Sequence, residues 1–159
     1  MLNIKTRPGA LLENYMNQVC EFLNNSGFHA HKNNPLRTFE GKYIEGEPFD
    51  YEFFIKGRVY CFDAKECKNS TGKWKILMTG NRGVKTNLRL RKQAMNLLAC
   101  RDNGAVAFFL VAFTDYRFKS PINLYMFDPG LVLQAIDLKH NYLSADQAVP
   151  FDINKIINQ

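Results

Sequence analysis

Apolar residues recur at helical spacing in three parts of the chain. The first helix is predicted over roughly residues 10–25, where Gly27 follows as a stop signal. The second is predicted over residues 85–101. The third begins with a proline, a residue suited to the first helical turn, and covers about residues 129–137. The chain therefore predicts three helices with other elements between them.

Five β-prone runs separate these helices. They cover residues 28–32, 49–55, 58–65, 105–113 and 123–127. The run 105–113 is continuously apolar, which is typical of a strand buried on both faces. Residues 67–84 contain three glycines and predict a loop with at most one short strand, whereas 138–159 shows no clear pattern. The order α, β, β, β, α, β, β, α predicts an α/β fold with a mixed central sheet flanked by helices.

The length of 159 residues predicts one domain, spanning 1–159. No stretch approaches the ~20 apolar residues of a membrane span, and the N-terminus has no apolar region typical of a signal peptide. The cysteines form no C-x-x-C pair, so we expect reduced thiols in a cytoplasmic protein and no structural zinc. They are Cys20, Cys61, Cys67 and Cys100.

Positive charge is concentrated in one window of the sequence. The net charge is +6, and nine basic residues lie between Lys65 and Lys92, where Glu66 is the only acid. A basic balance favours an anionic partner without naming it. The window directly follows the run FDYEFFIKGRVYCFDAKE at 49–66, which carries the candidate chemistry.

A hairpin in this run predicts that two acids face each other. If Lys56-Gly57 forms a two-residue turn, cross-strand partners have numbers that sum to 113, so Asp50 opposes Asp63. Cross-strand partners point to one face with Cβ atoms ~4.5–5.5 Å apart, and Lys65 points to that face too. A three-residue loop with a bulge would shift this register by one.

Facing carboxylates favour a bound cation. Like charges directly opposite each other cost stability, and two carboxylates at this spacing suit one Mg²⁺, which prefers hard oxygen ligands. Such a metal acidifies a bound water, an adjacent lysine stabilises charge on a phosphate, and the basic window grips a nucleic-acid backbone. The alternative is that Asp50 and Asp63 are solvated strand ends with Lys65 as an ion-pair partner.

The residues Pro48-Phe49-Asp50 followed by Asp63-Ala64-Lys65 resemble the PD-(D/E)-x-K nuclease motif. Within that superfamily the chain is most similar to RecU-type Holliday junction resolvases. The similarity rests on Asp50-Tyr51, the Lys-Gly turn and the run Phe62–Glu66, and extends more loosely over residues 7–135. Asp63 replaces the more usual Glu, and only about residues 36–48 stand where the family has a long stalk, as in a reduced version from a phage or mobile element.

The resemblance implies a set of site residues. Asp50, Asp63 and the Ala64 carbonyl would hold Mg²⁺, for which Mn²⁺ can substitute, and Lys65 would be the catalytic lysine. Glu13 would reach the metal directly or through water; alternatively it is an ordinary first-turn acid favoured by the helix dipole. Gln93 would touch the scissile region, or else is a plain surface glutamine.

The predicted function is a Mg²⁺-dependent DNA endonuclease, most similar to a homodimeric resolvase of four-way junctions in a bacterial or phage setting. A sequence-specific endonuclease of restriction or homing type is the second hypothesis, and a non-catalytic DNA-binding module the third. Predicted DNA contacts are Arg7, Lys68, Lys73, Lys75, Arg82, Lys85 and Arg89. Trp74 is expected either to stack on an unpaired base or to fold back on the core. His29 and His31 are interpreted as structural because no third metal ligand is apparent nearby.

Overall fold

The structure is a computed structural model that describes residues 10–33, 36–37, 40, 43–44, 49–114 and 123–159. Its helices are α1 (Ala10–Asn25), α2 (Gly80–Asp102), α3 (Pro129–Asp137) and α4 (Ile153–Ile157), with a 3-10 turn at Ala145–Gln147. None of the described helices is long and apolar enough to cross a membrane. The strands are β1 (His29–Lys32), β2 (Leu36–Arg37), β3 (Tyr43–Ile44), β4 (Tyr51–Ile55), β5 (Arg58–Cys67), β6 (Lys73–Lys75), β7 (Val106–Phe113), β8 (Asn123–Phe127), β9 (Tyr142–Ser144) and β10 (Val149–Pro150).

Six of these strands form a central mixed sheet in the order β1-β4-β5-β7-β8-β10. The neighbours β5 and β7 run parallel, and α2 provides the crossover between them, whereas the other neighbouring pairs are antiparallel. Two small two-stranded sheets join β2 to β3 and β6 to β9. The predicted α/β class, with a mixed sheet flanked by helices in the order α-β-β-β-α-β, is confirmed.

Side chains from the two faces of the sheet form two separate cores. The first core packs α1 and α4 against residues such as Phe53, Phe62 and Leu110. The second packs α2 and α3 against residues such as Cys61 and Phe109. Because successive side chains of a strand alternate between faces, β5 sends its even-numbered residues to the α1 side and its odd-numbered residues to the α2 side.

The hairpin between β4 and β5 has the predicted register. Ile55 opposes Arg58, and the pairing continues to Tyr51 opposite Phe62, each pair summing to 113. Both turn residues adopt positive φ, +50° at Lys56 and +78° at Gly57. Positive φ at both central positions is the geometry of a type I′ turn, which matches the twist of the strands.

The second helix begins earlier than predicted. α2 starts at Gly80 rather than at residue 85, because two glycines of the predicted loop form part of its first turns. Gly80 has φ +79°, and a Cβ on Gly83 would lie 2.6 Å from the backbone carbon of Met78. Asn87 then holds both backbone groups of Met78. The unassigned tail forms β9, β10 and α4, and the predicted short strand in the 67–84 loop is β6.

Candidate active site

Asp50 and Asp63 are joined where the β4–β5 ladder ends. Asp50 directly precedes β4, and its backbone N–H donates to Oδ1 of Asp63 at 3.0 Å. The N–H of Ala64 donates to Oδ2 of Asp50 at 2.9 Å. Backbone donors thus hold one oxygen of each carboxylate, so the predicted meeting of the two acids is confirmed.

Asp63 is a buried acid with one oxygen that forms no hydrogen bond within the described part of the chain. The residue is 2% exposed, and the oxygen in question is Oδ2. Burial, together with the neighbouring Asp50 carboxylate, raises the pKa of Asp63 from its ordinary 3.8 to about 7, although Lys65 opposes the shift. A buried carboxylate costs free energy unless a charge or hydrogen bonds compensate for it.

The donor set fits a hard divalent cation. Mg²⁺ is commonly held by one or two carboxylates and keeps several waters, so Oδ2 of Asp63, which no described residue contacts by a hydrogen bond, suits it beside Asp50. The N–H and C=O of one strand residue point to the same side, so the Ala64 carbonyl points towards Asp50 as its N–H does. Within the described part of the chain, no three or more His, Cys, Asp or Glu side chains converge as a larger metal cluster.

Lys65 and Gln93 meet on the α2 side of the sheet. The Lys65 ammonium donates to the Gln93 side-chain oxygen at 2.8 Å, and both residues belong to the part-buried space between β5 and α2. Burial lowers the pKa of Lys65, and Arg89 adds to this effect while Asp63 and Asp50 oppose it. The structure therefore brings Gln93 to the lysine, a contact that was not predicted from the sequence, and the catalytic roles of both stay predictions.

Glu13 forms an ion pair with Lys32. Its Oε1 lies 3.0 Å from the Lys32 ammonium, and both side chains are about one-third exposed. Burial is the main cause of a raised pKa at Tyr51, to which the charges of Asp50 and Glu13 also contribute. Glu13 is thus within electrostatic range of the residue next to Asp50, and its part in holding a metal stays a prediction. Arg7 lies outside the described residues.

Two residues that support the site were not predicted. Asn33 donates its backbone N–H to the Asp50 carbonyl at 2.7 Å and its side-chain amide to the Phe49 carbonyl at 2.8 Å. Glu66, noted only as part of the motif, accepts the N–H of Leu12 in the first turn of α1 at 2.9 Å. Neither contact has a signal in the sequence, since Asn33 looks like a turn residue and Glu66 like an exposed charge.

The predicted DNA contacts on described residues are all exposed; they are Lys68, Lys73, Lys75, Arg82, Lys85 and Arg89. Trp74 lies between two of them on β6 but is only 6% exposed, and its ring contacts Phe109 and Phe127. The core interpretation of Trp74 is therefore right, and stacking of its ring face on a base is wrong.

His29 and His31 lie on one exposed face of β1 with ring centroids 6.3 Å apart. The described residues place them in no group of three or more metal ligands. All four cysteines, each described, are free thiols as expected, and burial raises the pKa of Cys61 to about 12 and that of Cys67 to about 11.

No protein-family model matches the chain, and no curated protein matches its sequence. Among solved structures, the chain is similar to Hjc of Archaeoglobus fulgidus, a Holliday junction resolvase from an archaeal hyperthermophile. The two sequences are 10% identical, the match covers 92% of this chain and 95% of that chain, and the TM-score is 0.48. At this level the similarity carries no argument about activity.

Proposed function

We propose that this protein is a metal-dependent DNA endonuclease of the PD-(D/E)-x-K class. The observation that carries the proposal is the buried Asp63, whose Oδ1 accepts the Asp50 N–H while its Oδ2 forms no hydrogen bond with any residue that the structure describes. Lys65, two residues along the same face of β5, supplies the cation that phosphodiester hydrolysis needs near the phosphate. A solvated strand end would not be 2% exposed, so the burial of Asp63 argues against the purely structural alternative.

Each residue of the site has a distinct task in this proposal. Asp50, Asp63 and the Ala64 carbonyl would hold Mg²⁺, with Mn²⁺ as a substitute. When bound, the metal would supply an acidified water and stabilise charge on the phosphate. Lys65 orients the attacking water or neutralises charge on the phosphoryl oxygens. Gln93 keeps the Lys65 ammonium in place by accepting its 2.8 Å hydrogen bond.

The exposed cations around the site support DNA as the substrate. Lys73 and Lys75 project to solvent on either side of the buried Trp74, and Arg89 lies one turn before Gln93 on α2. Lysine and arginine contacts to phosphates provide most of the affinity of proteins for DNA without reading its sequence. These exposed cations would bind the phosphates of a four-way junction and of a linear duplex alike.

We favour a four-way DNA junction as the substrate and a homodimer as the active form, because two sites related by two-fold symmetry can nick two symmetric strands. A cytoplasmic location in a bacterial or phage setting belongs to this proposal. The second candidate is a sequence-specific endonuclease of the same fold, and it is favoured by the short segment where resolvases of the RecU type carry a stalk.

The two candidates are separated by comparing cleavage of a mobile four-way junction with cleavage of a linear duplex of the same sequence, both with Mg²⁺. Paired symmetric nicks in the junction and an intact duplex support the resolvase. An intact junction beside a duplex cut at one sequence supports the sequence-specific enzyme. Tight binding of both DNAs without cleavage of either would support the third hypothesis, a DNA-binding module.

A further inference from the structure

A cavity of about 240 Å³ lies directly beside Lys65, between β5, β6 and α2. One wall is a single face of α2, since its lining residues Thr86, Arg89, Leu90 and Gln93 follow the spacing i, i+3, i+4, i+7. The cavity therefore opens beside the proposed catalytic lysine and does not include the carboxylates that would hold the metal.

The lining combines apolar side chains with three cations and one acid, Glu66. Its apolar part includes the buried Ile76, Leu90 and Trp74 and the more exposed Met78. Its cationic part consists of Lys65, Lys75 and Arg89. Cations alone would suffice for a sugar–phosphate backbone, whereas an apolar surface with a few convergent polar groups suits a planar base joined to a phosphate.

We propose that this cavity binds an unpaired nucleotide adjoining the phosphate that is cut, an inference that rests on the proposed function. A base inside a duplex is stacked on both sides and cannot enter a side cavity unless it leaves the stack. The cavity thus favours DNA in which the nucleotide next to the cut is unpaired or easily freed from its stack, as at a bulge, a flap or the crossing point of a junction, over a perfect duplex.

The protein carries its own reporter of this binding. Trp74 is the only tryptophan, and its indole borders the cavity, so its fluorescence should change when the cavity is filled. The probes are thymidine 5′-monophosphate, thymidine and inorganic phosphate, each titrated with EDTA present so that no cleavage occurs. We expect the monophosphate to bind at least about tenfold more tightly than either of its parts.

Thr86 and Leu88 offer a matched pair of variants on α2. Thr86 is exposed, and its hydroxyl donates to the Arg82 carbonyl within α2 at 3.0 Å, so replacement does not disturb the core. Thr86→Phe would fill the cavity and lower the affinity for thymidine 5′-monophosphate by about tenfold or more. Leu88 is exposed and does not line the cavity, so Leu88→Phe adds the same ring outside it and should bind the nucleotide as the wild type does.

The cleavage assay compares a duplex carrying a single unpaired nucleotide with its perfect counterpart, both with Mg²⁺. The wild type and Leu88→Phe should cut the bulged duplex about tenfold faster than the perfect one, and Thr86→Phe should lose this preference. Asp63→Asn should cut neither DNA while keeping the fluorescence response.

The outcomes distinguish failure of the cavity assignment from failure of the proposed nuclease activity. Equal cutting of both DNAs by the wild type, or an unchanged nucleotide affinity and preference in Thr86→Phe, would overturn the cavity assignment and leave the nuclease standing. Nucleotide binding no tighter than that of phosphate would overturn it too. A nucleotide response that depends on Thr86, in a wild type that cuts no DNA, would keep the cavity and overturn the nuclease.

Discussion

The backbone N–H of Asp50 donates to Oδ1 of Asp63, and this one bond ties the end of β4 to a buried carboxylate in β5. Oδ2 of Asp63 is left without a partner in the described structure. The fold therefore keeps two carboxylates together and loses some of its own stability. A cation bound between them would compensate for this loss when the protein acts on its substrate.

Asp63→Asn should stabilise the metal-free protein at neutral pH. Between pH 3.8 and about 7 the folded state keeps a proton that the unfolded chain has released, so the free energy of unfolding falls as the pH rises through this window. Asparagine cannot ionise. We expect the variant's advantage to grow from almost nothing below pH 4 to on the order of 2 kcal/mol above pH 7. Urea denaturation in EDTA at several pH values measures it.

The control for this series is Asp102→Asn, which removes an exposed acid at the end of α2 and should leave the pH dependence of unfolding nearly unchanged. An advantage of Asp63→Asn that did not vary with pH, or a loss of stability at pH 8, would show that the carboxylate is not strained in the folded state.

Asn33→Ala should cost stability and weaken Mg²⁺ binding together. The buried Phe49 carbonyl would lose its donor, which costs about 1–3 kcal/mol, and the backbone before Asp50 would be less well fixed. Because a ligand of the folded state raises stability according to its affinity, added Mg²⁺ should raise the melting temperature less than in the wild type. Thermal unfolding with and without Mg²⁺ gives both quantities.

Asn24→Ala is the matched control, since Asn24 also bonds backbone groups of β1, but at Ala30, further from Asp50. It should lose stability and keep the full Mg²⁺ shift. If both variants lowered the Mg²⁺ shift equally, the effect would come from general loosening of β1 and not from the position of Asp50.

Gln93→Leu should slow cleavage without unfolding the protein. The Lys65 ammonium would lose the acceptor that fixes it, and outer partners of site residues typically contribute about 10–100-fold to activity. Gln93→Glu keeps the acceptor and adds a negative charge, which raises the pKa of Lys65 and should move the alkaline limb of the rate profile upward. Rate profiles against pH for the two variants check this, and an unshifted profile in Gln93→Glu would remove Lys65 from the rate-determining chemistry.

Gly57→Ala should destabilise the hairpin that brings the acids together. Gly57 has φ +78°, and a Cβ there would meet nothing within 4 Å, so backbone strain alone should cost about 1–2 kcal/mol. Lys56→Asn should have the opposite effect and stabilise the protein, because asparagine tolerates a φ of +50° better than lysine does. Chemical denaturation compares them; a neutral Gly57→Ala would mean that the turn adapts without strain.

The part of the site that depends on local sequence was predictable. The Lys-Gly turn sets the register of two adjacent strands, and a period of two then decides which side chains share a face, so Asp50, Asp63 and Lys65 followed from counting. Helices α1 and α3 followed from apolar periodicity and the buried strand β7 from its continuous apolar run, with boundaries close to those observed.

Contacts between distant segments were not predictable in this way. Asn33 reaches Phe49 and Asp50 across the end of β1, and Glu66 reaches the first turn of α1, 54 residues away in sequence. The start of α2 was misplaced because its glycines look like loop signals in the sequence. Within the fold, Gly83 instead allows the helix to pass close to the backbone of Met78. Likewise, β6 pairs with β9 from the unassigned tail, which explains why Trp74 is buried.

The most direct test is cleavage of a labelled four-way DNA junction by the wild type and by Asp63→Asn, each with Mg²⁺ and with EDTA. The account predicts symmetric nicks by the wild type with Mg²⁺ only. It also predicts no nicks by the variant, whose fold should be at least as stable as that of the wild type. Cleavage that persists in EDTA or in Asp63→Asn would contradict a metal-dependent site built on these two carboxylates.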